Sequence, residues 1–132
     1  MTQYKNRVIQ HFITTEGKDL FQEWFDSLKD KRAKDEVRKR IARIELGNFG
    51  DHHPITGGKG ISELRITYGP GYRIYYGETE TAIILLLCGG DKSSQRKDIK
   101  KAKECWQLYL DKVKEQLENN EQTTDKETSE PS

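Results

Sequence analysis

The chain has 132 residues, 33% of them apolar and 34% charged, and its 23 Lys and Arg against 22 Asp and Glu leave a net charge of +1. That length fits one domain with a modest core, and no apolar run approaches the roughly 20 residues needed to cross a bilayer. Met1 to His11 lacks the apolar stretch of a secretion signal and two cysteines make no disulfide framework, so the expected location is the cytoplasm.

The small net charge conceals an uneven distribution. Residues 1–110 carry 20 basic against 15 acidic side chains, and residues 111–132 carry 3 against 7, a body of +5 and a tail of −4. A modestly basic body is compatible with a nucleic-acid partner but does not require one.

In chain order, Tyr4 to Phe12 has the mixed polar and apolar character of a first strand. Leu20, Phe21, Trp24, Phe25 and Leu28 then recur with helical period after Gly17. Lys31 to Arg43 holds seven basic and two acidic residues interleaved with Ala33, Val37, Ile41 and Ile44 at helical spacing, an amphipathic helix with a basic face. On that face Lys34, Arg38, Lys39 and Arg43 are candidate contacts for RNA. Gly47 and Asn48 end the helix, and Asn48 to Gly60, with four glycines and Pro54, reads as loop. His52 and His53 lie in it without the ligand-spaced cysteines a metal site needs, so no metal is expected.

Two alternating segments, Ile61 to Tyr68 and Tyr72 to Gly77, flank the turn Gly69-Pro70-Gly71, and the apolar run Ala82 to Cys88 reads as a strand buried on both faces. A three-residue hairpin loop centred on Pro70 places Thr67 opposite Arg73 and Arg65 opposite Tyr75. Glu63, Arg65, Arg73 and Tyr75 then share one open face, while Leu64, Ile66, Ile74 and Tyr76 share a face suited to cover by helices. Two arginines on an open face invite an anion, and an ion pair of Arg73 with Glu63 or Glu78 is the plainer alternative.

After that strand, Gly89-Gly90 lets the backbone turn, and a helix opens at a serine cap within Asp91-Lys92-Ser93-Ser94-Gln95-Arg96. Ile99, Ala102, Trp106, Leu110, Val113 and Leu117 extend the helix for about 24 residues, with Val113 and Leu117 beyond the domain and available to a partner. Cys88 and Cys105 fall on apolar positions and read as free buried thiols. Asn119 to Ser132 has no large apolar residue and is expected to be a disordered acidic tail that folds back on the basic face and weakens RNA binding.

The motifs ELR at Glu63–Arg65, GPGYRIYY at Gly69–Tyr76 and ILLLCGGDKSSQ at Ile84–Gln95, followed by a lysine-rich helix, resemble the RelE/ParE superfamily of toxins from bacterial toxin–antitoxin modules. The nearest likeness is the phage-related branch of addiction-module killer proteins, similar to HigB, and it covers roughly Tyr4 to Tyr109. The resemblance implies an α+β domain over residues 1–118, with an N-terminal helical hairpin, a small antiparallel sheet and a long C-terminal helix, followed by the tail at 119–132.

It further implies a metal-independent, cofactor-free endoribonuclease that cleaves mRNA on the ribosome and so inhibits translation. In that chemistry the RNA 2′-hydroxyl attacks the adjacent phosphorus and expels the 5′-oxygen. Arg73, matching the GYR arginine, and Arg65 are the implied phosphate clamp, Lys92 and Arg96 match a region supplying basic catalytic groups, and Gln95 is placed to bond a base or phosphate. The tyrosine proposed as general base in RelE has no counterpart in Lys97-Asp98-Ile99-Lys100, which leaves Asp91, a lysine or Tyr75 as candidates. The implied partners are a cognate antitoxin with a helix-turn-helix fold, in a possible heterotetramer, together with the ribosome and mRNA. Relatives of ParE type share the fold but bind DNA gyrase, and a non-catalytic binding module is the third class.

Overall fold

The computed structural model describes the backbone of residues 5–129 and the side chains as far as Glu121; Tyr4, the expected start of the first strand, lies outside the described residues. Strand β1 (Val8–His11) leads into helices α1 (Leu20–Ser27) and α2 (Lys31–Glu45). Strands β2 (His52–Pro54), β3 (Ile61–Ile66), β4 (Tyr72–Glu78) and β5 (Ile83–Asp91) follow, and a single 3₁₀ turn at Lys92–Ser94 opens α3 (Gln95–Ser129).

Each helix of the hairpin starts where an aspartate can cap it. Asp19 accepts from the Gln22 amide and Asp30 from the Arg32 amide. At the other end of α2, Asn48 N–H donates to the Arg43 carbonyl and Gly47 N–H to the Ile44 carbonyl, with Gly47 at φ 86°. That pair of bonds is the left-handed closure expected from Gly47-Asn48.

The five strands form one sheet in the order β1-β5-β4-β3-β2. The sheet is mixed, not wholly antiparallel, because β1 pairs parallel with β5 while the other pairs are antiparallel. Everything between β1 and β5 serves as the crossover that parallel pairing requires. The histidine-bearing segment expected as loop contributes the short edge strand β2, whose Pro54 is tolerated at an edge.

The hairpin loop is longer than expected. It runs over residues 67–71, so Arg65 lies opposite Arg73 and Glu63 opposite Tyr75. The register therefore differs by two residues from that of a three-residue loop, and a two-residue shift keeps every side chain on its expected face.

Helices cover both faces. Phe21, Val37 and Ile44 pack with Leu64, Ile74, Tyr76 and Leu86 on the hairpin side. Ala102, Cys105 and Trp106 of α3 pack with Ile61, Tyr75, Leu85 and Leu87 on the other. The face carrying the arginines is thus not open: α3 lies across it, and Tyr75 is fully buried there.

Between Tyr75 and Tyr76 the pairing slips, with Tyr75 opposite Cys88 and Tyr76 opposite Leu86, which makes Leu87 a bulge. The bulge reverses the alternation in the last part of β5, so Gly89 faces α1 and Gly90 faces α3. Neither glycine is a turn. A Cβ on Gly89 would lie 2.2 Å from the Trp24 ring, and one on Gly90 would lie 1.8 Å from the Asp98 carboxylate. Both positions need glycine because a partner helix fills the space of a side chain.

α3 continues to Ser129, past Leu117 where the apolar repeat ends. Its backbone takes in most of the segment 119–132 that was expected to lack structure; 130–132 lie outside the described residues.

Candidate functional site

The bulge and the hairpin register set two rows of residues across the α3 side of the sheet. Arg65, Arg73 and Gly90 are paired in one row, and Glu63, Tyr75 and Cys88 in the next. Glu63 is 1% exposed and binds three side chains. Its Oε1 accepts from Arg65 Nε and Arg73 Nη1, each at 2.6 Å, and its Oε2 accepts from Gln95 Nε2 at 2.9 Å.

Gln95 reaches this carboxylate because the start of α3 is fixed from two sides. Asp91, not a serine, is the cap, accepting from the Ser93 amide at 2.8 Å, while Ser94 Oγ accepts from the Asp91 amide and donates to the Asp98 carboxylate beneath Gly90. The Lys92 amide donates to the Gly71 carbonyl at 3.0 Å, tying the glycine loop to this corner. Three elements separated in sequence therefore meet at one end of the sheet.

Burial pushes the Glu63 carboxyl up, but hydrogen bonds from Arg65 and Gln95 and the charge of Arg73 outweigh it, so the group is held below the ordinary glutamate range. The bond to Glu63 in turn raises Arg65 above the usual arginine value. Two arginines against one carboxylate leave the cluster positively charged. The Arg65 side chain is 41% exposed and that of Arg73 only 11%, so Arg65 is the more accessible of the two. Two buried atoms, Arg73 Nε and the Tyr75 hydroxyl, have no hydrogen-bond partner among the described residues.

The sequence-predicted residues divide into three groups. Arg65, Arg73 and Gln95 converge on Glu63. Lys92 and Arg96 lie at the start of α3 with exposed side chains. The α2 residues are elsewhere: Lys34 and Arg38 lie over the Phe25 ring at 5.5 and 5.0 Å, Arg38 pairs with Asp35, and Lys39 pairs with Glu36. Arg43 borders a groove between α2 and β3.

Glu63 organises the site: the ion pair of Arg73 with Glu63, the plainer alternative read from the sequence, forms, and Arg65 and Gln95 join it. Its signal was the i, i+2 spacing to Arg65, which puts a carboxylate beside a guanidinium on one face of a strand. Tyr75 is unsuited to the part of general base, since burial first, and then the charge of Glu63, push its hydroxyl far above neutral pH. Asp91 is unsuited for the opposite reason: hydrogen bonds from Ser93 hold its carboxyl low. Burial also raises both thiols, Cys88 and Cys105, which are free and inert as nucleophiles.

His53 pairs with Asp51 at 2.8 Å and His52 with the Gly50 carbonyl at 2.9 Å. Among the described residues no three His, Cys, Asp or Glu side chains are grouped as a metal site would require, and no helix is long and apolar enough to cross a membrane.

An uncharacterized protein of Haemophilus influenzae is 49% identical over 83 residues, which is 63% of this chain and 82% of that protein. The family model for the Phage derived protein Gp49-like (DUF891) matches residues 23–107, from within α1 through strands β2 to β5 and the arginine cluster into the packed half of α3. The chain belongs to this phage-derived Gp49-like family, a family of the addiction-module toxin type.

Proposed function

We propose that the chain is the toxin of a type II toxin–antitoxin module, RelE/ParE-related and HigB-like, and that it cleaves mRNA on the ribosome without a metal. The observation that carries this reading is the convergence of Arg65, Arg73 and Gln95 on the buried Glu63 carboxylate at the start of α3. Attack of the 2′-hydroxyl on phosphorus, with its proton passing to solvent water, builds negative charge on the non-bridging oxygens before the 5′-oxygen leaves. Arg65, the more exposed guanidinium, meets those oxygens first, and Arg73, locked against Glu63, presents a fixed charge behind it. Lys92, on the exposed corner beside the glycine loop, is positioned to protonate the leaving oxygen, and Arg96 adds a charge one residue beyond Gln95. A cognate antitoxin, of helix-turn-helix type in a heterotetramer, neutralises the toxin.

The test is to induce the chain in growing bacteria beside Arg73→Ala and Arg65→Ala variants, mapping RNA 5′ ends while following DNA breaks and supercoiling. New ends in translated regions that vanish in both variants are expected. In single-turnover cleavage, Arg73→Ala loses about 2–4 kcal/mol of transition-state stabilisation, roughly 30- to 1,000-fold in rate. DNA damage without RNA cleavage would replace this reading with gyrase inhibition, and normal growth with neither signal would replace it with a binding module. A folded Arg73→Ala protein with full activity would remove Arg73 from the site.

A further inference from the structure

A groove of about 410 Å³ lies between α2 and the β3 end of the hairpin, bordered by Arg32, Arg40, Arg43, Arg65 and Tyr68. Positions 32, 36, 40 and 43 fall on successive turns of one helical face, so the sequence alone aligns three arginines with Glu36 between them. Asp51 is the second acidic residue at the groove.

Glu36 pairs with Lys39 and Asp51 with His53. Arg32, Arg40 and Arg43 form no ion pair among the described residues. Arg40 instead donates to three backbone carbonyls, those of Arg65, Phe49 and Asp51, which fix its guanidinium without neutralising it. Arg32 lies over the Tyr68 ring at 5.0 Å, and the Tyr68 hydroxyl is anchored on Asp30 at 2.7 Å. Four arginines against Glu36 and Asp51 leave the groove with an excess of positive charge, on a scaffold that is already ordered.

We infer that this groove binds the phosphate backbone of single-stranded RNA and delivers the strand to the arginine cluster. The inference rests on the RNase reading. Arg65 is the link, since it borders the groove and also bonds Glu63. This reading puts RNA contact on the groove lining, which does not include Lys34 and Arg38. An oligonucleotide is favoured over an acidic protein segment because the arginines lie along successive helical turns beside a sheet edge, spaced for a chain that repeats its charge at every unit.

The experiment is fluorescence anisotropy with a uniform 12-nucleotide single strand containing 2′-deoxyribose, which binds but cannot be cleaved by 2′-hydroxyl attack. Failure of the chemistry therefore leaves this measurement unaffected. Wild type is compared with Arg32→Ala/Arg43→Ala and with Lys34→Ala/Arg38→Ala, two doubles that each remove two charges from exposed or half-buried positions of α2; far-ultraviolet circular dichroism checks that each is folded. The groove double is expected to bind at least 10-fold more weakly and to lower the slope of log affinity against log salt by about 1.4, or about 0.7 for each lost phosphate contact. The other double is expected to change affinity less than two-fold. Equal losses in the two doubles would overturn the inference, as would wild-type protein with no binding at low salt. Displacement of the strand by polyglutamate as effectively, charge for charge, as by unlabelled strand would assign the groove to an acidic protein partner instead.

Discussion

Glu63 holds three side chains from three elements, and its ionisation is what makes them converge. A glutamine there keeps the volume, but its amide nitrogen meets donors, either Gln95 Nε2 or the guanidinium groups. Glu63→Gln is therefore expected to destabilise the fold by about 2–3 kcal/mol at pH 7, measured by urea denaturation. The pH dependence has a definite sign. A carboxyl held lower in the folded state contributes stability above its unfolded value of about 4.3, and that contribution disappears as pH falls through the lower folded value. The gap between wild type and variant should accordingly narrow below about pH 4, and a gap that stays constant down to pH 2.5 would show that Glu63 acts through shape alone. At this scale the sequence was informative in part. Alternation in Ile61–Ile66 and Tyr72–Glu78 identified the residues that share a face, but the exposure of that face is decided by α3, some twenty residues further on. That is why Arg73 was expected in the open and is found mostly buried.

At the scale of elements, β5 and α3 meet by omission of side chains. Gly90 lies under the Asp98 carboxylate and Ser94 hydroxyl, and Gly89 under the Trp24 ring, so two adjacent glycines admit a helix on each side of one strand. Gly90→Ala is expected to displace Asp98, break its bond with Ser94 and shift the first turn of α3, at a cost of about 1–3 kcal/mol. Because Gln95 rides on that turn, cleavage or nucleic-acid binding should fall together with the melting temperature. Lost stability with full activity would show that the placement of Gln95 is irrelevant to function. The glycine pair was legible as a feature but not in its meaning, since a Gly-Gly after an apolar run reads as a turn unless the bulge at Leu87 and the approaching helices are known. The edge strand β2 escaped notice for a related reason: three residues with a proline carry no periodicity, and only pairing with β3 makes them a strand. The amphipathic pattern of α2, by contrast, matches its buried stripe at Ala33, Val37 and Ile44, and Gly47-Asn48 matches its left-handed end just after Leu46.

For the molecule as a whole, the question is whether its acidic end can reach its basic body. An unstructured tail after Leu117 would sample the surface and compete with RNA for the arginines. A continuous α3 forbids this. Twenty-six residues separate Gln95 from Glu121, and at 1.5 Å per residue the helix carries that acid about 39 Å from the cluster. Charges in solvent are screened over about 8–10 Å at ordinary salt and about 20 Å at 20 mM, so at that distance Glu121 has little hold on the arginines or on an incoming strand. Removal of residues 119–132 is therefore expected to leave oligonucleotide affinity within two-fold of wild type even at low salt. A several-fold gain at 20 mM salt that disappears at 300 mM would instead mean that the helix bends or unwinds far enough to bring its acids home.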